Sequence, residues 1–378
     1  MIKIMVIFGT RPEAIKMAPV IEELKKNKNK FKAIVCVTAQ HREMLDQVVD
    51  WFGIKVDYDL NLMTDNQFLS ELTSKALVKI EHILEAEKPD IVLVQGDTTT
   101  AMISALASYY QKIPVGYVES GLRTWDKYNP FPEEINRVLL SHLADLHFAP
   151  TSVSRENLLK EGIKKENIFI TGNTVIDALF KTVKKKNNNR IKDKKNKKEI
   201  DLNKKFILIT THRRENFGEP LKNICLAIKE LVKEEDFEAD FILPVHKNPN
   251  VEGVVFANLR NNPKIHLVEP LEYPDFANVM AKSYLILSDS GGVQEEAPSL
   301  GKPVLVLRKT TERPEAVKAG TVKLVGTDKN KIKKEVKKLL ENKKEYQKIA
   351  KAKNPYGNGT ASKKIVKVIW EKLKAKNK

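Results

Sequence analysis

At 378 residues, 42% of them apolar and 30% charged, the chain is long enough for two domains with separate cores and is not a disordered protein. The formal net charge is +17, yet only 11 of the 66 basic residues are Arg, the residue that nucleic-acid readers need for bidentate contacts, so no nucleic-acid partner is expected. No apolar run approaches the length of a membrane span, so none is expected to enter a membrane.

The first apolar run, IKIMVIF at 2–8, is followed at once by GTRPE and reads as a strand, not a secretory leader. Apolar periodicity then predicts a helix from about Ala18 to Lys26, a strand at 32–39 and a helix around Met44–Phe52. A long amphipathic helix over 67–87, a strand at 90–97, a helix at 98–111 and a strand at 113–120 follow. A helix near 133–145, the short strand LHFAP, a helix at 152–161 and a strand at 168–173 complete a first half.

Residues 181–205 hold 12 Lys or Arg against 3 Asp or Glu, about half of the chain's excess charge. With almost no apolar residues, this stretch reads as an exposed linker or an extended helix end. A second half restarts with a strand at 206–212, a helix at 219–234, a strand at 240–246, a helix at 251–260, a strand at 264–270 and a helix at 275–282. YLILSDSGGVQEEAPSLGKPVLVLR, 284–308, reads as strand, glycine turn, helix and strand, a single βαβ unit. TVKLVG is expected as a last strand, with helices near 328–340, 343–352 and 360–376.

Apolar strands alternating with helices predict the α/β class, with parallel sheets buried on both faces. The two halves predict two Rossmann-like domains facing across a cleft. The first is expected over 1–170, with a C-terminal helix at about 358–378 packing back on it, and the second over 171–357. The two cysteines, Cys36 in a strand and Cys225 in a helix, lack zinc-ligand spacing and fit a reduced, cytoplasmic protein.

Open α/β sheets place ligands at the carboxyl ends of their strands, and that rule selects the candidate residues. Gly291 and Gly292 allow close backbone approach, and the helix after them offers amide groups suited to a phosphate. Glu296, about one turn on, is placed to hold a ribose diol, and Arg313 downstream is a bidentate clamp for the same anion. Arg11 and Lys16 supply further charge for a diphosphate. No GxGxxG follows the first strand, which speaks against a dinucleotide there.

Asp97 and Glu119 close two consecutive strands, and neighbouring carboxylates split their pKa values into an acid and a base. Glu133 opens a helix beside Glu134, and spacing does not choose between them. His212 ends a strand beside Arg213 and Arg214 and is an anion-site candidate, as is His246 more weakly. The remaining histidines read as structural or surface residues. Together these groups describe an enzyme of a nucleoside diphosphate sugar acting at the anomeric carbon, with no metal or organic cofactor required. Glycosyl transfer, hydrolysis and epimerisation all fit.

The motifs GTRPEAIKMAPV, TAQHREML, VQGDTTT, VESGLRT, PFPEEINR, TGNTVIDAL, THRRENFGEP and DSGGVQEEAPSLGKPVLVLRKTTERPEAV run in order from residue 9 to about 320. In that combination the chain resembles the non-hydrolysing UDP-N-acetylglucosamine 2-epimerases. The resemblance implies the glycosyltransferase-B fold, an active site in the inter-domain cleft and a homodimer. It implies that UDP is held by Arg11, Lys16, His212, Leu271, Phe276, Ser290, Gly291, Gly292, Glu296 and Arg313.

By the same resemblance, Asp97, Glu119 and Glu133 are the catalytic acids of an interconversion of UDP-GlcNAc and UDP-ManNAc, with His212 against UDP. UDP leaves across C1–C2, giving a bound 2-acetamidoglucal, and returns as the proton re-enters on the other face. The hydrolysing relative, which releases ManNAc and UDP, is the alternative. Leu271 stands near the uracil, where bacterial members often carry a polar residue. Gln40, Arg213, Glu215 and His246 match parts of a second, regulatory substrate site, in which Asn66 replaces an Arg of some members.

Overall fold

Each apolar run whose residues are buried on both faces becomes a central strand, and each run with 3.6-residue periodicity becomes a covering helix. The computed structural model describes residues 1–38, 42–62, 68–192, 199–234 and 236–376. The chain divides into two units, Met1–Ala178 with Tyr356–Lys378, and Leu179–Pro355.

In unit 1 the elements are β1 (Ile2–Phe8), α1 (Arg11–Lys26), β2 (Phe31–Val37), α2 (Arg42–Phe52), β3 (Tyr58–Asp59), α3 (Leu69–Glu87) and β4 (Ile91–Gln95). There follow α4 (Thr99–Tyr110), β5 (Val115–Val118), α5 (Glu133–Leu143), β6 (Leu146–Ala149), α6 (Ser152–Lys160), β7 (Ile168–Ile170) and α7 (Thr174–Lys185), which crosses into unit 2. The sheet order is β3-β2-β1-β4-β5-β6-β7, and its strand pairs are parallel. The order reverses between β1 and β4, so the loops after those two strands part there and leave room for a ligand. Leu93, Val94 and Ile7 are fully buried, each contributing about 1.5–3 kcal/mol of hydrophobic stabilisation.

Helix α1 begins at Arg11, not near Ala18 as the periodicity predicts. The Glu13 carboxylate accepts the Gly9 N–H at 3.1 Å and the Thr10 N–H at 2.8 Å, while Pro12 occupies the first turn, where no N–H is needed. The signal lies in the sequence itself: Thr10 and Glu13 have capping-box spacing. Gly121 marks a second tight point, with φ +91° and a would-be Cβ 2.2 Å from the Ser154 carbonyl oxygen. Gly121→Ala is expected to destabilise the protein by at least about 3 kcal/mol. Urea denaturation reads this, and a variant as stable as wild type refutes the packing argument.

Unit 2 begins in the Lys-rich stretch. The expected linker contains an antiparallel pair, β8 (Arg190–Lys192) and β9 (Glu199–Asp201), anchored by buried Ile191 and Ile200. One apolar residue per strand suffices to hold it, too few to produce an alternating signal. Next come β10 (Phe206–Thr210), α8 (Glu219–Leu231), β11 (Asp240–Pro244), α9 (Pro249–Leu259), β12 (Ile265–Val268), α10 (Tyr273–Lys282) and β13 (Leu285–Ser288). The remainder are α11 (Gly291–Glu296), β14 (Val304–Val306), α12 (Pro314–Lys318), β15 (Val322–Leu324), α13 (Lys329–Glu341) and α14 (Lys343–Ala350). The parallel sheet runs β12-β11-β10-β13-β14-β15, reversing between β10 and β13. The helix expected over VQEEAPSL is α-helical only to Glu296 and continues as a 3-10 turn to Leu300, because Pro298 has no N–H to donate.

Helix α15 (Ala361–Lys376) belongs to unit 1. Its first backbone N–H groups, those of Ala361 and Ser362, donate to the Asp177 carboxylate at 3.1 and 2.9 Å. Ile365 and Ile369 are fully buried, and Trp370 meets Phe31 edge to face at 5.7 Å. Among the described residues no helix is long and apolar enough to cross a membrane.

Candidate active-site residues in each unit

In unit 1 the loop after β1 leads into Arg11, the first residue of α1, the loops after β4 and β5 carry Asp97 and Glu119, and Glu133 is the first residue of α5. Glu13 ties the first two loops together, because Thr98 Oγ1 donates to its carboxylate at 2.7 Å. Burial raises the Glu13 pKa, opposed by its hydrogen bonds to Thr98, Thr10 and Gly9. Arg11 is half-buried, and its pKa is lowered by burial.

The carboxylates are treated differently from one another. Arg137 binds Asp97 Oδ2 through Nη2 at 2.6 Å and through Nε at 3.0 Å. Glu119, 6% exposed, receives Lys16 Nζ on both oxygens at 2.7 and 2.6 Å, Asn173 Nδ2 on Oε1 at 2.7 Å, and Gln95 Nε2 on Oε2. Asp97 and Glu119 are thus paired separately, each carboxylate with its own cation. Lys16, expected at a diphosphate, is placed on Glu119.

The structure also separates Glu133 from Glu134. Glu134 is buried, accepts the Thr124 and Trp125 N–H groups at 3.0 and 2.9 Å, and pairs with Arg137 Nη1 at 2.8 Å. It is a loop anchor. Glu133 Oε2 is buried with no hydrogen-bond partner among the described residues. A buried carboxylate oxygen without a donor is costly, and a water or a ligand donor would complete its bonding.

In unit 2 the loops after β10 and β13 meet at the reversal of strand order, and Asp289 joins them. This carboxylate is fully buried. It accepts the His212 and Arg213 N–H groups, each at 3.0 Å, and Asn216 Nδ2 at 2.9 Å. His212 Nδ1 lies 3.4 Å from Asp289 Oδ1. Burial lowers the His212 pKa, Asp289 opposes this, and Arg213 and His246 reinforce it. Asp289 went unremarked in the sequence as a functional group, though its place before Ser290 at a strand's carboxyl end is the signal.

Gly291 is flanked by two guanidinium groups: a Cβ there would stand 3.7 Å from the terminal nitrogens of both Arg213 and Arg313. Arg313 Nε donates to buried Glu295, and Arg213 reaches Glu312 at 3.3 Å while its Nε is buried and unpartnered. The six residues of α11 are a shorter helix than the sequence implies, and the positive charge beside Gly291 comes from these two arginines. Thr211 Oγ1, in the adjacent loop, is also buried without a partner. Beside Gly292 stands Glu296, near the buried Tyr273 phenol, whose pKa is raised first by burial and then by that carboxylate.

Of the residues matched to a regulatory site, Gln40 lies outside the described residues, as does Asn66. Arg213 stands against Gly291, Glu215 is bound by Arg308 Nε at 2.5 Å, and His246 stacks on His212 with ring centroids 6.1 Å apart. Phe276 is half-buried on α10. Leu271 lines a groove of about 760 Å³ with Asn188, Arg190, Glu199, Pro270 and Asp275. That groove does not include Ser290, Gly291, Glu296 or Arg313 among its lining residues, so it is not where the chemistry-bearing groups gather.

A family model described as UDP-N-acetylglucosamine 2-epimerase matches residues 22–370. The UDP-N-acetylglucosamine 2-epimerase of Campylobacter jejuni is 54% identical over 381 residues, covering 99% of this chain and 98% of its own. That of Bacillus subtilis is 54% identical over 368 residues, covering 97% and 95%. Among solved structures, the Neisseria meningitidis UDP-GlcNAc 2-epimerase bound to UDP-GlcNAc aligns with a TM-score of 0.85 at 53% identity, covering 98% of this chain and 100% of that one.

Proposed function

Because the chain belongs to the UDP-N-acetylglucosamine 2-epimerase family, we propose that it interconverts UDP-GlcNAc and UDP-ManNAc without hydrolysis. One observation carries the reading: near strand-end loops whose other carboxylates are ion-paired, Glu133 keeps a buried oxygen with no donor. The hydrogen at C2 of the sugar has no adjacent carbonyl to acidify it, so departure of UDP leads. As the C1–O bond breaks, its electron pair leaves on the β-phosphate, where Arg213 and Arg313 beside Gly291 meet the growing charge. A carboxylate then takes the C2 proton, and the C1=C2 bond of the glucal forms.

Glu133 is the group assigned to that transfer. Return of UDP to C1, with a proton delivered to the other face of C2, completes the inversion. His212, beside Asp289, contacts UDP, and Glu296 holds the ribose. NMR of UDP-GlcNAc incubated with the protein in deuterated water tests the proposal. An equilibrium of the two nucleotide sugars, each deuterated at C2, is expected. Free ManNAc and UDP as the main products overturn it in favour of the hydrolysing reaction.

A further inference from the structure

The Glu119 carboxylate is gripped from three elements, and one of the donors on it is the side chain of Asn173. Asn173 lies between β7 and α7 and is 2% exposed. Its backbone N–H donates to the Tyr356 carbonyl at 2.7 Å, and its Oδ1 accepts the Val175 N–H at 3.0 Å, capping α7. With both of those commitments met, Nδ2 is left facing Glu119 Oε1 at 2.7 Å. A flipped amide would set Oδ1 against a carboxylate and Nδ2 against an N–H, so the network fixes one orientation. The backbone cannot withdraw either: Gly172 before it, at φ +90°, passes so close that a Cβ would lie 3.0 Å from the Tyr356 oxygen.

We propose that Asn173 is a positioning residue for the proposed epimerisation, holding Glu119 charged and in one orientation; this rests on the reading of Glu119 as part of the reacting site. Glu119 adopts φ +67°, a left-handed conformation that a non-glycine residue keeps only when its surroundings enforce it. The enforcing groups are Lys16 from α1, Gln95 at the end of β4 and Asn173 at the head of α7. On its own strand the neighbour is Tyr117, uncharged because burial raises its pKa, with Asp97, Arg123 and Arg137 acting on it from beyond. Donors on a carboxylate favour its ionised form, and an amide at 173 supplies a donor without supplying a second charge.

Asn173→Asp separates this role from capping, because Asp caps a helix as well as Asn does. The variant keeps the bond to Val175, so its melting temperature above the Glu119 titration should fall only by the few degrees that the repulsion from Glu119 accounts for. It brings a second carboxylate against Glu119, so the Glu119 titration should move up by about one pH unit. Two readouts are taken. The acidic limb of the kcat/KM profile should rise by that shift, while KM for UDP-GlcNAc above the limb stays put. Carboxyl ¹³C NMR of protein labelled on its glutamates, with the Glu119 signal identified by its loss in Glu119→Gln, should show the same displacement. Asn173→Ser, which caps but is too short to reach Glu119, gives a smaller shift of the same sign and serves if the aspartate variant does not fold. An unmoved Glu119 signal overturns the assignment of Asn173 whatever the protein catalyses. Absence of C2 deuteration in wild type overturns the epimerase reading alone, and the NMR titration then still decides the role of Asn173.

Discussion

Glu133→Gln is expected to lower epimerase turnover by about 10³-fold while leaving UDP affinity within about twofold of wild type. The expectation comes from which carboxylates are already occupied. Asp97 is bound by Arg137, Glu119 by Lys16, Gln95 and Asn173, and Glu134 by Arg137 and two backbone N–H groups. Among the described residues, Glu133 has a buried oxygen with no hydrogen-bond partner, and the proposed proton transfer is assigned to it for that reason. The amide variant keeps shape and removes proton transfer. Glu134→Gln is the contrasting substitution, because it weakens the Arg137 pairing and the loop at Thr124 and Trp125, so its effect falls on stability as well. Single-turnover rates with calorimetric UDP titration distinguish the two. Retention of turnover by Glu133→Gln to within about tenfold would remove it from the proton-transfer step.

The second large effect is expected at Arg313. Its replacement by Ala should weaken UDP binding by about 1.5–3 kcal/mol, the usual worth of a hydrogen bond to a charged group. The same change takes a guanidinium from Glu295, which is 2% exposed, so stability falls too. Pairing Arg313→Ala with Glu295→Gln removes the orphaned charge. The double variant should recover melting temperature and not affinity. Unchanged UDP affinity in that folded double variant would exclude Arg313 from the nucleotide site.

Much of this arrangement is legible in the sequence because its loops follow strands. GTRPE, QGDTTT, VESG and SDSGG each sit where an apolar run stops, and the strand-end rule needs nothing more. What the sequence withholds is side-chain choice. Glu133 and Glu134 share a first turn, and only the folding back of Thr124 and Trp125 shows which is taken. Asp289 looks like turn punctuation until its carboxylate is seen joining two loops that lie 77 residues apart in sequence. Arg213 was matched to a regulatory site and stands against Gly291, a meeting that depends on β10 and β13 being neighbours in the sheet. The Ile191–Ile200 hairpin stays hidden for a different reason: burial of a single side chain per strand leaves no periodicity to read.

The final helix bears on how the protein comes into being. Because α15 caps onto Asp177 and lays Trp370 against Phe31, unit 1 draws on both ends of the polypeptide, with all of unit 2 encoded between them. During translation every residue of unit 2 is therefore synthesised before the last helix of unit 1. The surrounding unit is complete only once α15 has been made, and until then the side of α1 on which α15 packs is uncovered.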